Sequence, residues 1–276
     1  MIFNAAENLI HRLDTHVPQW LKNREEPSFI STEDGGVGPE ILLLHGLFGA
    51  LSNWDGVFPI LKSFSKPIAF QFPMLSSPRN DVKVKNLAAY TWYFIKKRSL
   101  DPVILCGNSM GGHVALRLCL AAPESVDCMI LSGTSGLYEH SVDTLPIRPD
   151  HKFLREQMSR VFYNQKFVTD EAIDSIHKVI KDRKNILNII NAARSAKKDY
   201  LLSRLNEIKV PTLLLWGEDD LVTTMDVAET FHKNIPNSKL VTIKNCGHAP
   251  MIEYPEWFSA EVEKFLKENS KKYKSK

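Results

Sequence analysis

The sequence predicts an α/β protein with a mostly parallel central sheet, helices on both faces of that sheet and an inserted helical cap. Short continuous apolar runs recur along the chain, and segments with helical spacing separate them. This alternation is typical of βαβ units in a buried parallel sheet. Between residues 137 and 206 the alternation stops and only helical patterns follow one another. A chain of 276 residues is long enough for one large domain with such an insertion.

The composition is that of an ordinary globular protein, with 43% hydrophobic and 24% charged residues. The net charge of +3 comes from the end of the chain, because residues 267–276 carry a local charge of +4 that leaves the remainder near −1. We therefore expect no nucleic-acid partner, and we predict that residues 269–276 form a disordered basic tail. No metal or cofactor is expected.

The cysteines and the absence of targeting signals favour a cytoplasmic protein. None of the four cysteines has C-x-x-C spacing, and three of them lie in apolar patterns where free thiols are usually buried. No apolar run approaches the length of a membrane span, and the first residues lack the pattern of a signal peptide.

The first predicted element is an amphipathic helix within residues 1–24, which Pro18 should interrupt near its end. Two roles for its apolar face remain open, namely packing on the protein's own surface and peripheral contact with a membrane. The core is predicted to comprise residues 25–136 and 207–268. Its expected elements are strands at 28–31, 41–44, 68–72, 103–108, 128–133, 211–216 and 239–243, and helices at 53–63, 84–97, 110–122, 224–234 and 255–267.

The predicted cap, residues 137–206, contains three helical patterns, at 152–163, 170–181 and 185–205. Several aromatic residues of the cap are candidates to face a substrate, although aromatic residues at helical spacing also form cores. They are Phe153, Phe162, Tyr163, Phe167 and Tyr200.

The apolar run at 103–108 ends in a Gly-x-Ser-x-Gly pattern centred on Ser109, and helical spacing resumes after it. A strand that turns sharply into a helix holds its serine in a strained conformation, and the flanking glycines allow the strand and helix to approach closely. The free N–H of Met110 and the positive end of the helix then lie where an oxyanion would form. Ser109 is therefore the candidate nucleophile.

A second loop follows the strand at 41–44 and is rich in glycine. Such a loop exposes backbone N–H groups, and the N–H of Leu47 is the candidate to converge with that of Met110 in an oxyanion hole. His45 lies at the start of this loop. We interpret it as a side chain that fixes the loop by hydrogen bonding rather than as a catalytic base.

A serine hydroxyl needs a neighbouring base, and the base needs a carboxylate on its other ring nitrogen. His248 follows a late strand in a Gly-His-x-Pro loop, and Asp220 lies just beyond another strand end. Taken singly, His248 is also compatible with a loop hydrogen-bonding role and Asp220 with a helix cap. Together with Ser109 they predict a catalytic triad, because the carboxyl ends of parallel strands share one edge of the sheet.

With these motifs the sequence resembles the α/β-hydrolase fold family over about residues 40–268. The motifs that carry the resemblance are His45 to Gly49, Gly107 to Gly112, Trp216 to Asp220 and Cys246 to Pro250. The resemblance implies that residues 137–206 cover the active site, and the family pattern Gly-Glu-x-Asp selects Asp220 over Asp219 as the acid. One departure is the loop at 71–77, which lacks the usual Asp-x-Pro-Gly-x-Gly sequence where relatives border the substrate pocket.

These features predict a serine hydrolase that cleaves a carboxylic ester or thioester with an apolar acyl or aryl part. The resemblance also implies that epoxide hydrolases and haloalkane dehalogenases have Asp at the position of Ser109. The serine therefore argues against these two activities. Two alternatives remain open. One is a hydrolase of carbon–carbon bonds with the same triad, and the other is a ligand receptor of the same fold with little turnover.

Overall fold

The computed structural model describes residues 2–138, 146 and 148–274, which form a seven-stranded sheet in the order β1-β3-β2-β4-β5-β6-β7. Among the pairings of these described strands, only that of β1 with β3 is antiparallel. The mostly parallel sheet confirms the predicted fold class. The strands are β1 (Ile30–Glu33), β2 (Glu40–Leu44), β3 (Lys66–Gln71), β4 (Val103–Asn108), β5 (Val126–Ser132), β6 (Thr212–Gly217) and β7 (Ser238–Ile243).

Helices connect the strands and cover both faces of the sheet. They are α1 (Ile2–Leu13), α2 (Gln19–Lys22), α3 (Phe58–Leu61), α4 (Val84–Lys97), α5 (Met110–Ala121), α6 (His151–Val161), α7 (Asp170–Ile180), α8 (Arg183–Lys198), α9 (Met225–Asn234), α10 (Pro250–Glu253), α11 (Pro255–Asn269) and α12 (Lys271–Lys274). Short 3₁₀ turns occupy 51–54, 79–82, 123–125, 165–167 and 202–207.

Strand β2 shows why its apolar run is continuous. Leu42 and Leu44 pack into the hydrophobic cluster that contains α1, α4, α5 and α9, whereas Ile41 and Leu43 pack into the cluster that contains α3 and α11. Successive side chains of a strand point to opposite faces. Residues 41–44 are covered on both faces and are all apolar, whereas the polar Glu40 lies at the half-buried start of the strand.

The N-terminal segment forms two helices rather than one. Helix α1 ends at Leu13 because Asp14 adopts a positive φ of 49°, and Pro18 then precedes α2. The apolar stripe of α1 is buried in the protein's own core, against α4 and α5. Trp20 of α2 packs edge-on to Tyr93 of α4, with ring centroids 4.8 Å apart.

The tail prediction is wrong for the described residues up to 274. Ser270 is fully buried and its hydroxyl donates to the Asp127 carboxylate at 2.5 Å, while Lys272 donates to Glu40 and to the carbonyl of Leu100. These specific partners hold a lysine-rich segment that its composition alone marks as solvated. Across the described ranges, no helix combines the length and the apolar character needed to cross a bilayer.

The predicted cap contains α6, α7 and α8, and its residues 139–145 and 147 lie outside the described residues. The cap has a small core of its own, formed by Leu154, Ile173, Ile180, Ile186, Ile189 and Ile190. Leu201 and Leu205 instead pack in the main core beside the sheet. The last residues of the predicted insertion therefore pack with the sheet domain rather than with the cap.

Candidate active site

Ser109 joins the end of β4 to the start of α5 with φ 55° and ψ −121°, a backbone conformation that residues other than glycine rarely adopt. Its N–H donates to the carbonyl of Ser132 on β5 at 3.0 Å. A Cβ at Gly107 would lie 2.5 Å from the backbone of α5, and one at Gly111 would lie 2.0 Å from the carbonyl oxygen of Leu44. Only glycine fits at both positions, which is why this turn needs its two glycines.

His248 and Asp220 form a buried hydrogen-bonded pair. Nδ1 of His248 lies 2.8 Å from Oδ2 of Asp220, and the two side chains are 7% and 0% exposed. A carboxylate only accepts hydrogen bonds, so the proton lies on Nδ1 and the lone pair of the neutral ring lies on Nε2. The hydrogen bond to Asp220 therefore fixes the orientation of the imidazole.

Further groups hold this pair in place. Asp220 also accepts from the backbone N–H groups of Val222 and Thr223 at 2.8 and 2.9 Å, and from the Thr223 hydroxyl at 2.9 Å. The side-chain amide of Asn108 donates to the carbonyl of His248 at 3.0 Å. Thr223 and Asn108 are not among the site residues that the sequence motifs predict. Their positions three residues after Asp220 and directly before Ser109 were the available signals.

Asp219, the competing acid, has a different partner. Its carboxylate accepts from the backbone N–H of Asn245 at 3.0 Å, and its own N–H donates to the carbonyl of Cys246. Asp219 thus fastens the loop that precedes His248, while Asp220 contacts the imidazole itself. This geometry separates two adjacent carboxylates that the sequence distinguished only by family spacing.

His45 is fully buried and fixes the glycine-rich loop, as predicted. Its Nδ1 lies 2.7 Å from the carbonyl of Gly46, and its Nε2 accepts from the backbone N–H of Phe72 at 3.1 Å. The side-chain amide of Gln71 lies 2.9 Å from the same Nε2. Burial lowers the pKa of His45 to about 4, against an opposing contribution from the hydrogen bond to Gly46. The ring is therefore a neutral structural link between two loops.

This low pKa makes a prediction about acid stability. The unfolded chain binds a proton at His45 below about pH 6.5 and the folded chain only below about pH 4, so stability should fall as pH falls between these values. The loss attributable to His45 amounts to about 3 kcal/mol. Urea unfolding of wild type, His45→Gln and the exposed control His11→Gln at several pH values measures it. If the unfolding free energy of His45→Gln depended on pH as steeply as that of the wild type, His45 would not be the source of the acid sensitivity.

The two candidate oxyanion donors flank Ser109. Met110 is the first residue of α5, where N–H groups have no partner within the helix. The loop that carries Leu47 approaches from β2, since a Cβ at Gly46 would lie 3.2 Å from the Cβ of Ser109. Both candidate residues line the same cavity as Ser109 and His248.

That cavity has a volume of about 1520 Å³ and lies between the sheet edge and the cap. Four of the five aromatic candidates of the cap line it, namely Phe153, Phe162, Phe167 and Tyr200, and Tyr163 does not. The loop after β3 contributes Phe72 to Ser76 to the wall, so it borders the cavity although its sequence departs from the usual pattern. The side-chain amide of Asn188 on α8 donates to the Met74 carbonyl at 2.7 Å and fastens this loop to the cap.

An ion cluster fastens the end of the cap to the helix that follows Ser109. Asp199, just after α8, accepts from Nε of Arg117 at 2.5 Å and lies 3.1 Å from Nε2 of His113. Burial alone would raise the pKa of Asp199, but the hydrogen bonds and charges of His113 and Arg117 outweigh it and lower the pKa to about 2. The carboxylate is therefore charged at neutral pH, and it attaches the segment that follows α8 to α5.

The parallel sheet, the strained serine turn and the buried histidine–aspartate pair define an α/β hydrolase. The chain belongs to the family described as serine aminopeptidase, S33, whose family model matches residues 75–255. Known relatives show the same class. The chain is 28% identical to the pimeloyl-[acyl-carrier protein] methyl ester esterase of Nitrosomonas europaea over 244 residues, which cover 83% of this chain and 96% of that protein.

Two further comparisons agree. The 2-hydroxy-6-oxo-6-(2'-aminophenyl)hexa-2,4-dienoic acid hydrolase of Metapseudomonas resinovorans is 29% identical over 248 residues, which cover 84% of this chain and 86% of that protein. Among solved structures, MGS-MChE2, an α/β hydrolase from the sediment metagenome of the Mar Chica lagoon in Morocco, is 32% identical with a TM-score of 0.71. That match covers 88% of this chain and 97% of the other. The chain is thus an α/β hydrolase.

Proposed function

We propose that this hydrolase cleaves a carboxylic ester or thioester with an apolar acyl or aryl part through an acyl-enzyme at Ser109. His248 is the proposed general base and acid, Asp220 orients it, and the N–H groups of Leu47 and Met110 are the proposed oxyanion donors. The observation that carries the proposal is that the strained Ser109 and His248, whose imidazole is hydrogen-bonded to the buried Asp220, line one cavity.

In the proposed reaction, Nε2 of His248 takes the hydroxyl proton of Ser109 as Oγ attacks the substrate carbonyl carbon. The carbonyl oxygen becomes an oxyanion that the two N–H groups stabilise. Collapse of this intermediate breaks the bond to the leaving group, which receives the proton from His248. A water molecule then attacks the acyl-enzyme by the same steps and releases the carboxylic acid.

The cavity supports the apolar part of the proposal. Its volume of about 1520 Å³ exceeds the roughly 300 to 1,000 Å³ typical of ligand pockets. Its cap-side wall is largely aliphatic and aromatic, with Leu154, Met158, Ile176, Ile180 and Ile189 beside the aromatic residues named above. Each buried methylene of a substrate contributes about 0.8 kcal/mol, so this wall favours long or bulky acyl groups.

Carbon–carbon hydrolysis is a second candidate because several relatives, including one 29% identical to this chain, are named as hydrolases of 2-hydroxy-6-oxo dienoic acids. These keto acids contain no ester bond, so their hydrolysis must break a carbon–carbon bond. The same triad serves both reactions. In the carbon–carbon case the leaving group is a carbon atom that must accept the proton from His248. A receptor with little turnover is a third candidate, since an intact triad does not by itself require rapid turnover.

One experiment separates these candidates. We expect a fluorophosphonate to label wild-type protein at Ser109, identified by mass spectrometry of the labelled peptide. We also expect p-nitrophenyl esters of graded acyl length to turn over many times per site, with kcat/KM rising with chain length. A ring-cleavage dienoic acid assayed in parallel tests the carbon–carbon alternative.

Each other outcome favours a different candidate. Faster cleavage of the dienoic acid than of any ester would replace the ester assignment by carbon–carbon hydrolysis. A burst of one product equivalent per site without further turnover would favour the receptor. Absence of labelling at Ser109 in folded protein would contradict the serine mechanism itself.

The proposed partner is a small apolar molecule with an ester-like bond. We do not include a nucleic acid among the partners, because the charge of the chain body is near zero. Peripheral membrane contact through α1 is not part of the proposal, since its apolar stripe is buried against α4 and α5. A cytoplasmic location is part of the proposal, supported by four buried free cysteines.

A further inference from the structure

The cap segment that follows α6 lies directly against the loop of His248. The N–H of His248 donates to the carbonyl of Val161, the last residue of α6, at 2.7 Å. At the neighbouring Gly247, a Cβ would lie 2.4 Å from the same carbonyl oxygen and 2.8 Å from the nitrogen of Tyr163. The two backbones are therefore in contact, and the contact is possible only because residue 247 has no side chain.

Glu253, at the end of α10, bridges the same two segments with its carboxylate. Oε1 accepts from the N–H of Gly247 at 2.7 Å and from the N–H of Tyr163 at 3.3 Å, and Oε2 accepts from the N–H of Asn164 at 2.8 Å. One side chain thus receives three backbone N–H groups, one from the His248 loop and two from the cap.

The chemistry of the bridge requires a carboxylate. An ionised glutamate only accepts hydrogen bonds and has room for about four, and such charge-assisted bonds are roughly twice as strong as neutral ones. A glutamine of the same shape would turn an NH₂ group toward at least one of these N–H donors, which would replace attraction by repulsion. The bridge is therefore sensitive to the loss of a single charge.

We propose that Glu253 is a positioning residue that couples the placement of the cap to the placement of His248. The proposal rests on the proposed function, in which His248 is the base. A base must lie within about 3 Å of the proton that it takes, and a misplacement of about 1 Å costs on the order of 100-fold in rate. Through Glu253, the cap segment at 161–164 and the imidazole keep one relative position.

The test compares Glu253→Gln with Glu256→Gln, an exposed glutamate in the first turn of α11. We expect Glu253→Gln to lower kcat for a good ester substrate at least about tenfold while KM stays within about twofold. The rate of fluorophosphonate labelling at Ser109 should fall by a similar factor, because labelling uses the same base. Glu256→Gln should leave kcat, KM and labelling rate unchanged.

Hydrogen exchange supplies a readout of the coupling itself. In Glu253→Gln, peptides that cover 161–165 and 245–250 should both exchange faster, while a peptide within α7 should not change. In wild-type protein the amides of the two segments should exchange at matching rates, a measurement that requires no variant. Gly247→Ala, whose methyl group would separate the segments, should reproduce the kcat loss if Glu253→Gln does not fold.

Specific results would overturn the proposal. A folded Glu253→Gln that keeps more than half of the wild-type kcat excludes a positioning role, and so does faster exchange in only one of the two segments. A lower melting temperature with unchanged kcat per labelled site would show that Glu253 only stabilises the fold. If His248→Gln itself retains full activity, the proposed function fails instead, and the two failures are distinguishable.

Discussion

Replacement of Ser109 by alanine is expected to lower kcat by about four or more orders of magnitude. The change removes the only atom that forms the acyl-enzyme bond, while the N–H groups of Leu47 and Met110 and the cavity remain to bind substrate. Folding should be little affected, since the hydrogen bonds that residue 109 makes with other described residues are those of its backbone. Steady-state kinetics with the best ester of the panel, together with a thermal melt, measures both effects.

The matched control is Ser203→Ala. Ser203 is exposed, lies in the 3₁₀ turn at 202–207 and does not line the cavity, so its loss should leave kcat near the wild-type value. If Ser109→Ala kept more than about a tenth of the wild-type rate, the serine mechanism would have to be abandoned.

Asp220→Asn is expected to reduce kcat by about four orders of magnitude, and Asp219→Asn by far less. An amide opposite Nδ1 of His248 stabilises the wrong tautomer of the imidazole and cannot stabilise its cation. The Asp219 carboxylate instead accepts from the N–H of Asn245, in the loop that precedes His248. Both variants should be compared at equal folded concentration, determined from fluorophosphonate labelling at long reaction times.

The order of the two losses decides the assignment. Equal losses, or a larger loss in Asp219→Asn, would show that the orienting acid is not Asp220. Thr223→Val adds a check on the same side of the imidazole, because its hydroxyl donates to Asp220 at 2.9 Å and should affect kcat less than loss of the carboxylate.

The sheet could be predicted from the sequence because each buried parallel strand has a recognisable pattern of residues. Strands such as β2 are covered on both faces and therefore have continuous apolar runs. The turn at Ser109 could be predicted for a similar reason, since a close approach of strand and helix requires glycine at 107 and 111. Both requirements act on residues that are close together in the chain, so a short stretch of sequence is enough to predict them.

Features that depend on distant partners could not be predicted in the same way. Ser270 and Lys272 have fixed positions because they are hydrogen-bonded to Asp127 and Glu40, which are far away in the sequence. The break after α1 depends on a positive φ at Asp14, which residue type alone does not reveal. The role inferred for Glu253 likewise depends on backbone N–H groups of the cap that no motif records.

During protein synthesis, Ser109 leaves the ribosome long before the groups proposed to activate it. Strands β4 and β5 are neighbours in the sheet and α5 connects them in sequence, so the serine turn can fold from local contacts. The hydrogen bond between Asn108 and His248 joins positions 140 residues apart. Since β6 and β7 add to one edge of the sheet in order, Asp220 arrives first and His248 last. Under the proposed roles, a nascent chain holds a nucleophile and a cap but no base, and it becomes a hydrolase only when its final strand has joined the sheet.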